Sequence, residues 1–181
     1  MKKKNIRYLF FGFFLIGILL ANLLGKQCLE GSGIFNTYFL QQFEYARIDE
    51  TELFLYILRV RLPVFGVLGL VGITQYWRGA HVLLISWSGM AVGFLLVSAL
   101  SNLGPKGIFF VIVSMLPQYI FYIAAYFLLL EVQTAFHECG KMQKRGAWLL
   151  AGGIAVLMIL SGILTETYIN PRLMKSVLKI F

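Results

Sequence analysis

The residue types that could carry chemistry are few in this chain, and they are scattered. Glu131, His137, Glu138 and Cys139 form the densest group, and their types suit a divalent metal. Their spacing matches no zinc motif, so the expectation is a solvated loop. No H-E-x-x-H, no G-x-S-x-G and no phosphate-cradling glycine loop occurs. General acid–base or nucleophilic catalysis needs convergent groups. The nearest candidates, Glu166, His81 and His137, are placed by the sequence at different depths or on different sides of a membrane. The expectation is therefore no catalytic residue, no cofactor site, no metal site and no enzymatic activity.

The elements that must position these residues explain their scarcity. Of 181 residues, 59% are hydrophobic and 13% charged, and between Leu62 and Leu130 the only charged side chains are Arg78 and Lys106. A soluble domain is nearer half apolar and a quarter charged. The apolar residues are gathered into blocks long enough to cross a bilayer core about 30 Å thick. The predicted fold is an all-α polytopic membrane protein, a single integral membrane domain over 1–181. Its five transmembrane helices fall at about 8–25, 56–77, 80–100, 108–130 and 147–165. The first block is longer than a signal-peptide core and is followed by Lys26-Gln27-Cys28 with no small-residue cleavage site, so it reads as a retained span.

Between the first and second spans lies an outer segment of another kind. Residues 26–61 hold five of the eight acids: Glu30, Glu44, Asp49, Glu50 and Glu52. Phe35, Phe39 and Phe43 recur every four residues, and Phe54, Ile57, Leu58 and Arg61 continue a one-sided stripe. That periodicity predicts amphipathic helix over about 34–58, with Asp49-Glu50-Thr51-Glu52 at a helix start where acids favour the dipole. The basic tail at about 170–181 predicts a short amphipathic helix beginning near Pro171. Arg59 and Arg61 are expected to snorkel to the headgroups, and Arg78-Gly79 to form a tight inner turn.

The net charge of +8 and pI near 9.6 reflect cytoplasmic span ends and anionic headgroups, without a nucleic-acid partner. Lysines and arginines divide evenly between the two sides, but the inner segments are shorter and so denser in charge. This favours a cytoplasmic N-terminus and an outer C-terminus, which leaves about +6 inside and +2 outside. Cys28 and Cys139 then lie on opposite sides and cannot pair. Polar residues within the spans, among them Asn22, Gln75, Gln118, Ser86, Ser88, Ser98 and Ser114, are expected to bond between helices. Glu131 and Glu166 are expected at span ends, in reach of water, which weakens an ion-coupled transporter and disfavours a proton relay. Small-residue stripes (Gly17, Ala21 and Gly25; Gly89 and Gly93; Gly66, Gly69 and Gly72) predict close helix contacts, chiefly within the chain, with a homo-oligomer possible. Tyr119, Tyr122 and Tyr126 share one helix face and should find partners for their hydroxyls.

Val92-Gly93-Phe94-Leu95, then Leu103-Gly104-Pro105-Lys106-Gly107, then Val113-Ser114-Met115-Leu116-Pro117-Gln118 resemble, in order and spacing, the core of the stage II sporulation protein M family. Many members carry Asn after the P-Q pair, where this chain has Tyr119. The resemblance extends to the five-span plan, the glycines of the first span and the polar outer segment. It implies a mother-cell membrane scaffold working with stage II sporulation proteins D and P, which degrade septal peptidoglycan for septal thinning and forespore engulfment. The implied location is the septal or engulfing membrane. Residues 26–61 and the tail would be the docking surface. Two other readings compete: a small-molecule or ion permease (or the membrane subunit of an ATP-driven transporter), and an intramembrane enzyme.

Overall fold

A bilayer offers no partner for backbone N–H and C=O groups, so a spanning chain must satisfy them internally, and a helix does so within one segment. The computed structural model describes residues 3–24, 37–139 and 145–179, and these are helical with short connections. The elements are α1 (Lys3–Leu23), α2 (Thr37–Tyr45), α3 (Glu50–Val71), α4 (Trp77–Leu103), α5 (Pro105–Cys139), α6 (Arg145–Leu164), a π-helical turn (Thr165–Ile169) and α7 (Asn170–Leu178). Five helical stretches among the described residues are long and apolar enough to cross a membrane: Ile6–Leu23, Glu50–Val71, Trp77–Leu103, Pro105–His137 and Leu150–Leu178. Large apolar side chains such as Leu19, Leu55, Val67, Leu83 and Leu157 are exposed on them, as lipid contact requires and water would penalise.

The boundaries differ from the sequence expectation in instructive ways. The second span starts at Glu50, because the amphipathic stripe and the apolar block form one continuous helix. Asp49 caps it, accepting from the backbone N–H of Thr51 (2.8 Å) and Glu52 (3.2 Å), with Glu50 and Glu52 in the first turn. The turn between the second and third spans falls at 72–76, so Arg78-Gly79 belong to the first turn of α4. Thr74 builds that turn: its hydroxyl donates to Val71 O and accepts from Tyr76 N–H. The seven-residue turn expected around Pro105 shrinks to Gly104, whose φ of +64 lies in the left-handed region that glycine enters without a Cβ clash. The fourth span continues to Cys139, which makes the Glu131–Cys139 group helical rather than a loop. The fifth runs on through the π turn into α7 without a break. Residues 25–36 lie outside the described residues, and with them Cys28, Glu30, Phe35 and Gly25.

The chain divides into two compact units, one drawn from Met1–Arg47, Val82–Ser114 and Arg172–Phe181, the other from Ile48–His81 and Met115–Pro171. In the first, α1 and α4 meet through their glycines. A Cβ on Gly17 would strike the Met90 carbonyl, one on Gly89 the Phe10 carbonyl, and one on Gly93 the Phe14 carbonyl. Gly17, Gly89 and Gly93 of the stripes read from the sequence therefore serve contact within the chain. A Cβ on Gly66 or Gly69 would meet nothing within 4 Å, so the third stripe makes no such close approach there. Backbones this close gain dispersion along their length, which replaces the hydrophobic drive that is missing between helices in lipid. Gly107 is pressed likewise against the Ala99 carbonyl across the Gly104 turn. On α7, Lys175 Nζ donates to the Ala46 carbonyl just past α2 (2.6 Å), where helix-end carbonyls are short of donors.

In the second unit, Ile57 of α3, Tyr122 and Ala125 of α5, and Ile159 and Ile163 of α6 form the buried core, with Phe54, Leu58, Phe65 and Met158 against it. Gly162 lets Tyr122 lie flat on α6, since a Cβ there would meet the phenol ring.

These contacts make a clear expectation for Gly93→Leu. Backbone atoms cannot yield as a side chain can, so overpacking should cost about 1–3 kcal/mol and lower the melting temperature in detergent. Gly12→Ala, where a Cβ meets nothing within 4 Å, should be neutral or slightly stabilising. Equal melting of the two variants would refute the close α1–α4 contact.

Candidate functional site

The polar residues of the second unit converge on one face of α5. At 3.6 residues per turn, Tyr119, Tyr122, Tyr126, Gln133 and His137 fall within about 60° of one another. Side chains of α3, α4 and α6 come to this face, and two clusters result.

The first joins Arg61 of α3, Tyr122 of α5 and Glu166 of the π turn. Arg61 donates through Nη2 to Glu166 Oε1 (2.6 Å) and through Nε to Oε2 (3.1 Å), a two-pronged bridge. Tyr122 donates its hydroxyl to the same Oε2 (2.7 Å), and its ring lies 5.4 Å beneath the guanidinium. A planar guanidinium matches a carboxylate in this way, and it can stack on a phenol ring while doing so. Side-chain exposure is 34% for Arg61 and 14% for Glu166, so the open half of the pair is the cation. The sequence expectation had Arg61 snorkelling and Glu166 in reach of water; each has the other as its partner instead. The π turn adds one residue to the helical repeat. Thr165 and Thr167 on either side are buried and return their hydroxyls to Ser161 O and Ile163 O. Such single-turn bulges are common at functional sites.

The second cluster surrounds His81, which is fully buried in α4. Gln133 fixes its tautomer. Gln133 Nε2 donates to the Leu68 carbonyl (3.0 Å), so its Oε1 accepts from His81 Nε2 (2.7 Å). His81 Nδ1 then accepts from the Tyr126 hydroxyl (3.0 Å). His137 extends the cluster, donating from Nε2 to the Gly72 carbonyl (2.9 Å) while its ring stacks on buried Trp77 at 5.1 Å. Leu68 and Gly72 are at the C-terminal end of α3; the Leu68 carbonyl accepts from the Gly72 N–H (3.0 Å) as well as from Gln133. Gln133 and His137 supply donors from another helix. Gly72 is glycine here because a Cβ would meet the Gln133 amide.

Sequence reasoning placed the three tyrosines on one face, and Tyr122 and Tyr126 have the partners expected. It missed that the spans bury ionisable groups: His81, Arg61 and Glu166 all lie in membrane-length helices. The signal was available in Tyr122, Tyr126, Gln133 and His137 at one helical phase, a polar stripe too regular for a lipid face. His81 and His137 are brought to the same Trp77, at 6.0 and 5.1 Å, but Glu166 belongs to the other cluster. Several other span hydroxyls and amides turn inward to their own helix. Asn22 donates to Ile18 O, Ser88 to Ile85 O and Ser114 to Val111 O. Among the described residues, no three His, Cys, Asp or Glu side chains converge for a metal ion. The side chains of Glu138 and Cys139 lie outside that description.

Two mutational outcomes test these clusters. Glu166→Leu alone should lower the melting temperature, because it removes the carboxylate that a partly buried guanidinium pairs with. Arg61→Leu with Glu166→Leu should recover most of the loss, since an apolar pair of similar size is often near neutral. Additive losses in this double-mutant cycle would mean that the two side chains do not interact. His81→Leu should cost about 1–3 kcal/mol for each buried partner it orphans. Adding Gln133→Leu and Tyr126→Phe should restore stability, and failure to do so would separate His81 from those partners.

No family model matches the chain, and neither a curated protein nor a solved structure does.

Proposed function

We propose that this protein is a membrane scaffold in a peptidoglycan-degrading complex that thins the septum and drives forespore engulfment, with stage II sporulation proteins D and P as its partners. One observation carries the reading. Most of the residues that resemble the stage II sporulation protein M family, those from Val92 to Ser114, sit where the first unit is built: Gly93 against Phe14, Gly104 in its left-handed turn, and Gly107 against Ala99. In a scaffold, the residues that identify the family are those that hold its helices together. Orientation follows the density of basic residues, with the N-terminus in the mother-cell cytoplasm and the C-terminus outside. The outer elements are then α2 and α7, tied by Lys175 to Ala46. Gln41, Gln42, Tyr45 and Ala46 line a shallow, open hollow on α2, and this is the surface offered to the partners.

A second reading is favoured by a different observation. Ionisable residues inside spans are costly, and they commonly mark a substrate or ion path. Arg61, Glu166 and His81 are such residues, and they support a small-molecule or ion permease.

Co-purification of the full-length protein from sporulating cells separates the readings. A scaffold retains the two peptidoglycan-degrading proteins, and the paired substitution Gln41→Ala with Tyr45→Ala releases them while the melting temperature holds. Deletion of residues 31–52 is a poorer test, because it removes the Asp49 cap as well as α2. Absence of both partners, together with normal septal thinning in a deletion strain, overturns the scaffold reading.

A further inference from the structure

We infer that Arg61, with Glu166 behind it, forms a binding site for the phosphate of a membrane phospholipid. The inference is independent of the sporulation reading and holds equally for a permease.

Arg61 has five N–H donors, and two are directed to Glu166. The side chain keeps a third of its surface open, whereas Glu166 is largely covered, so the cation is the more accessible member of the pair. The surroundings of that cation are lipid. Val64, the i+3 neighbour of Arg61 on the same helix, is exposed, and Val60 and Val67 extend that apolar surface farther round the helix. Hydrocarbon has no acceptor for a guanidinium N–H, so the open donors must find one at the headgroup level.

Depth puts a phosphate within reach. Tyr56 is exposed near the start of α3 and Tyr76 just beyond its end, and tyrosines favour the two membrane interfaces. Tyr168, two residues beyond Glu166 on the neighbouring helix, is exposed as well. Arg61 is five residues inside Tyr56, about 7.5 Å at 1.5 Å per residue. An arginine stem spans such a distance by snorkelling. The ordinary snorkelling arginine is mobile, but this one is held. Glu166 fixes Nε and one Nη, and the Tyr122 ring supports the plane from below. A fixed plane presents its remaining donors in one direction, which suits bidentate recognition of phosphate. Tyr119 is on the same face of α5, edge-on to Tyr122 at 6.3 Å, and brings a second hydroxyl to the neighbourhood. The ligand's acyl chains would lie along the exposed valines.

Arg59 provides the control. It is two residues away, on nearly the opposite side of α3, and is exposed. It samples the same headgroup layer without the carboxylate brace.

The test is native mass spectrometry of the full-length protein in detergent with added phosphatidylglycerol, phosphatidylethanolamine or diacylglycerol, each with and without inorganic phosphate. Wild type and Arg59→Gln should retain the two phospholipids at least fivefold over diacylglycerol, with inorganic phosphate displacing neither. Arg61→Lys, which keeps the charge opposite Glu166, should lose that preference while its melting temperature confirms the fold. Equal retention by Arg61→Lys, loss in Arg59→Gln, or displacement by inorganic phosphate would overturn the lipid site, the last in favour of free phosphate. If Arg61→Lys does not fold, wild type is cross-linked with a phospholipid carrying a headgroup diazirine. Adducts on the peptide around Arg61 support the site, and adducts spread evenly over the span ends refute it.

Discussion

The constraint behind this fold is that a polar group inside a membrane-length helix must find its partner in the protein. Here one face of α5 supplies most of those partners for the second unit. Tyr122 donates to Glu166 at the end of the fifth span, Tyr126 to His81 of the third, and Gln133 and His137 to the last carbonyls of α3. Remove that face and His81 and the end of α3 lose their partners together, while Arg61 and Glu166 still join α3 to the fifth span. The apolar core of Ile57, Ala125, Ile159 and Ile163 fills the space between them, but it specifies little by itself, because lipid tails are as apolar as leucine. Hydrogen bonds and the ion pair choose the register. Their strength comes less from each bond made than from the cost of leaving a buried group unmade.

The first unit solves the same problem by other means. Gly17, Gly89 and Gly93 bring the backbones of α1 and α4 into contact, and dispersion over many atom pairs does what a few hydrogen bonds do elsewhere. The span hydroxyls and the amide of Asn22 mostly satisfy themselves on carbonyls of their own helix. These bonds run within one helix, while the glycines bring the two backbones close.

The two solutions differ in how legible they are in the sequence. Close packing by small residues is a local pattern, so the stripes at Gly17 and Gly93 could be read directly, as could the five apolar blocks. The Asp49 cap and the helix from Asn170 are local too. The second solution joins residues far apart in the chain. Arg61 and Glu166 are separated by 105 positions, and His81 and Gln133 by 52. No periodicity in either partner announces the other. Boundaries moved for a related reason. The amphipathic start of α3 and its apolar remainder look like two elements by composition, and Pro63 stands at their junction, yet the helix runs through it unbroken. The turn at 72–76 is set by Thr74 bonds and by the capping donors of α5, where the sequence shows only a mildly polar run. The π turn has no compositional mark at all; it is held by buried Thr165 and Thr167 and by the pairing of Glu166.

A partly buried ion pair is a weak source of stability by itself, because desolvating both charges offsets most of their attraction. Its retention here is better explained by what an apolar pair could not do. The bridge and the phenol ring hold the guanidinium plane still, and the site leaves the cation more open than its carboxylate. A rigid, partly open cation next to exposed valines has a direction, whereas a free snorkelling arginine has only a depth. Lipid recognition needs direction, and so does contact with a partner's anionic group at the same level. The brace therefore has a purpose under either reading of the protein's role, and stability alone does not account for it.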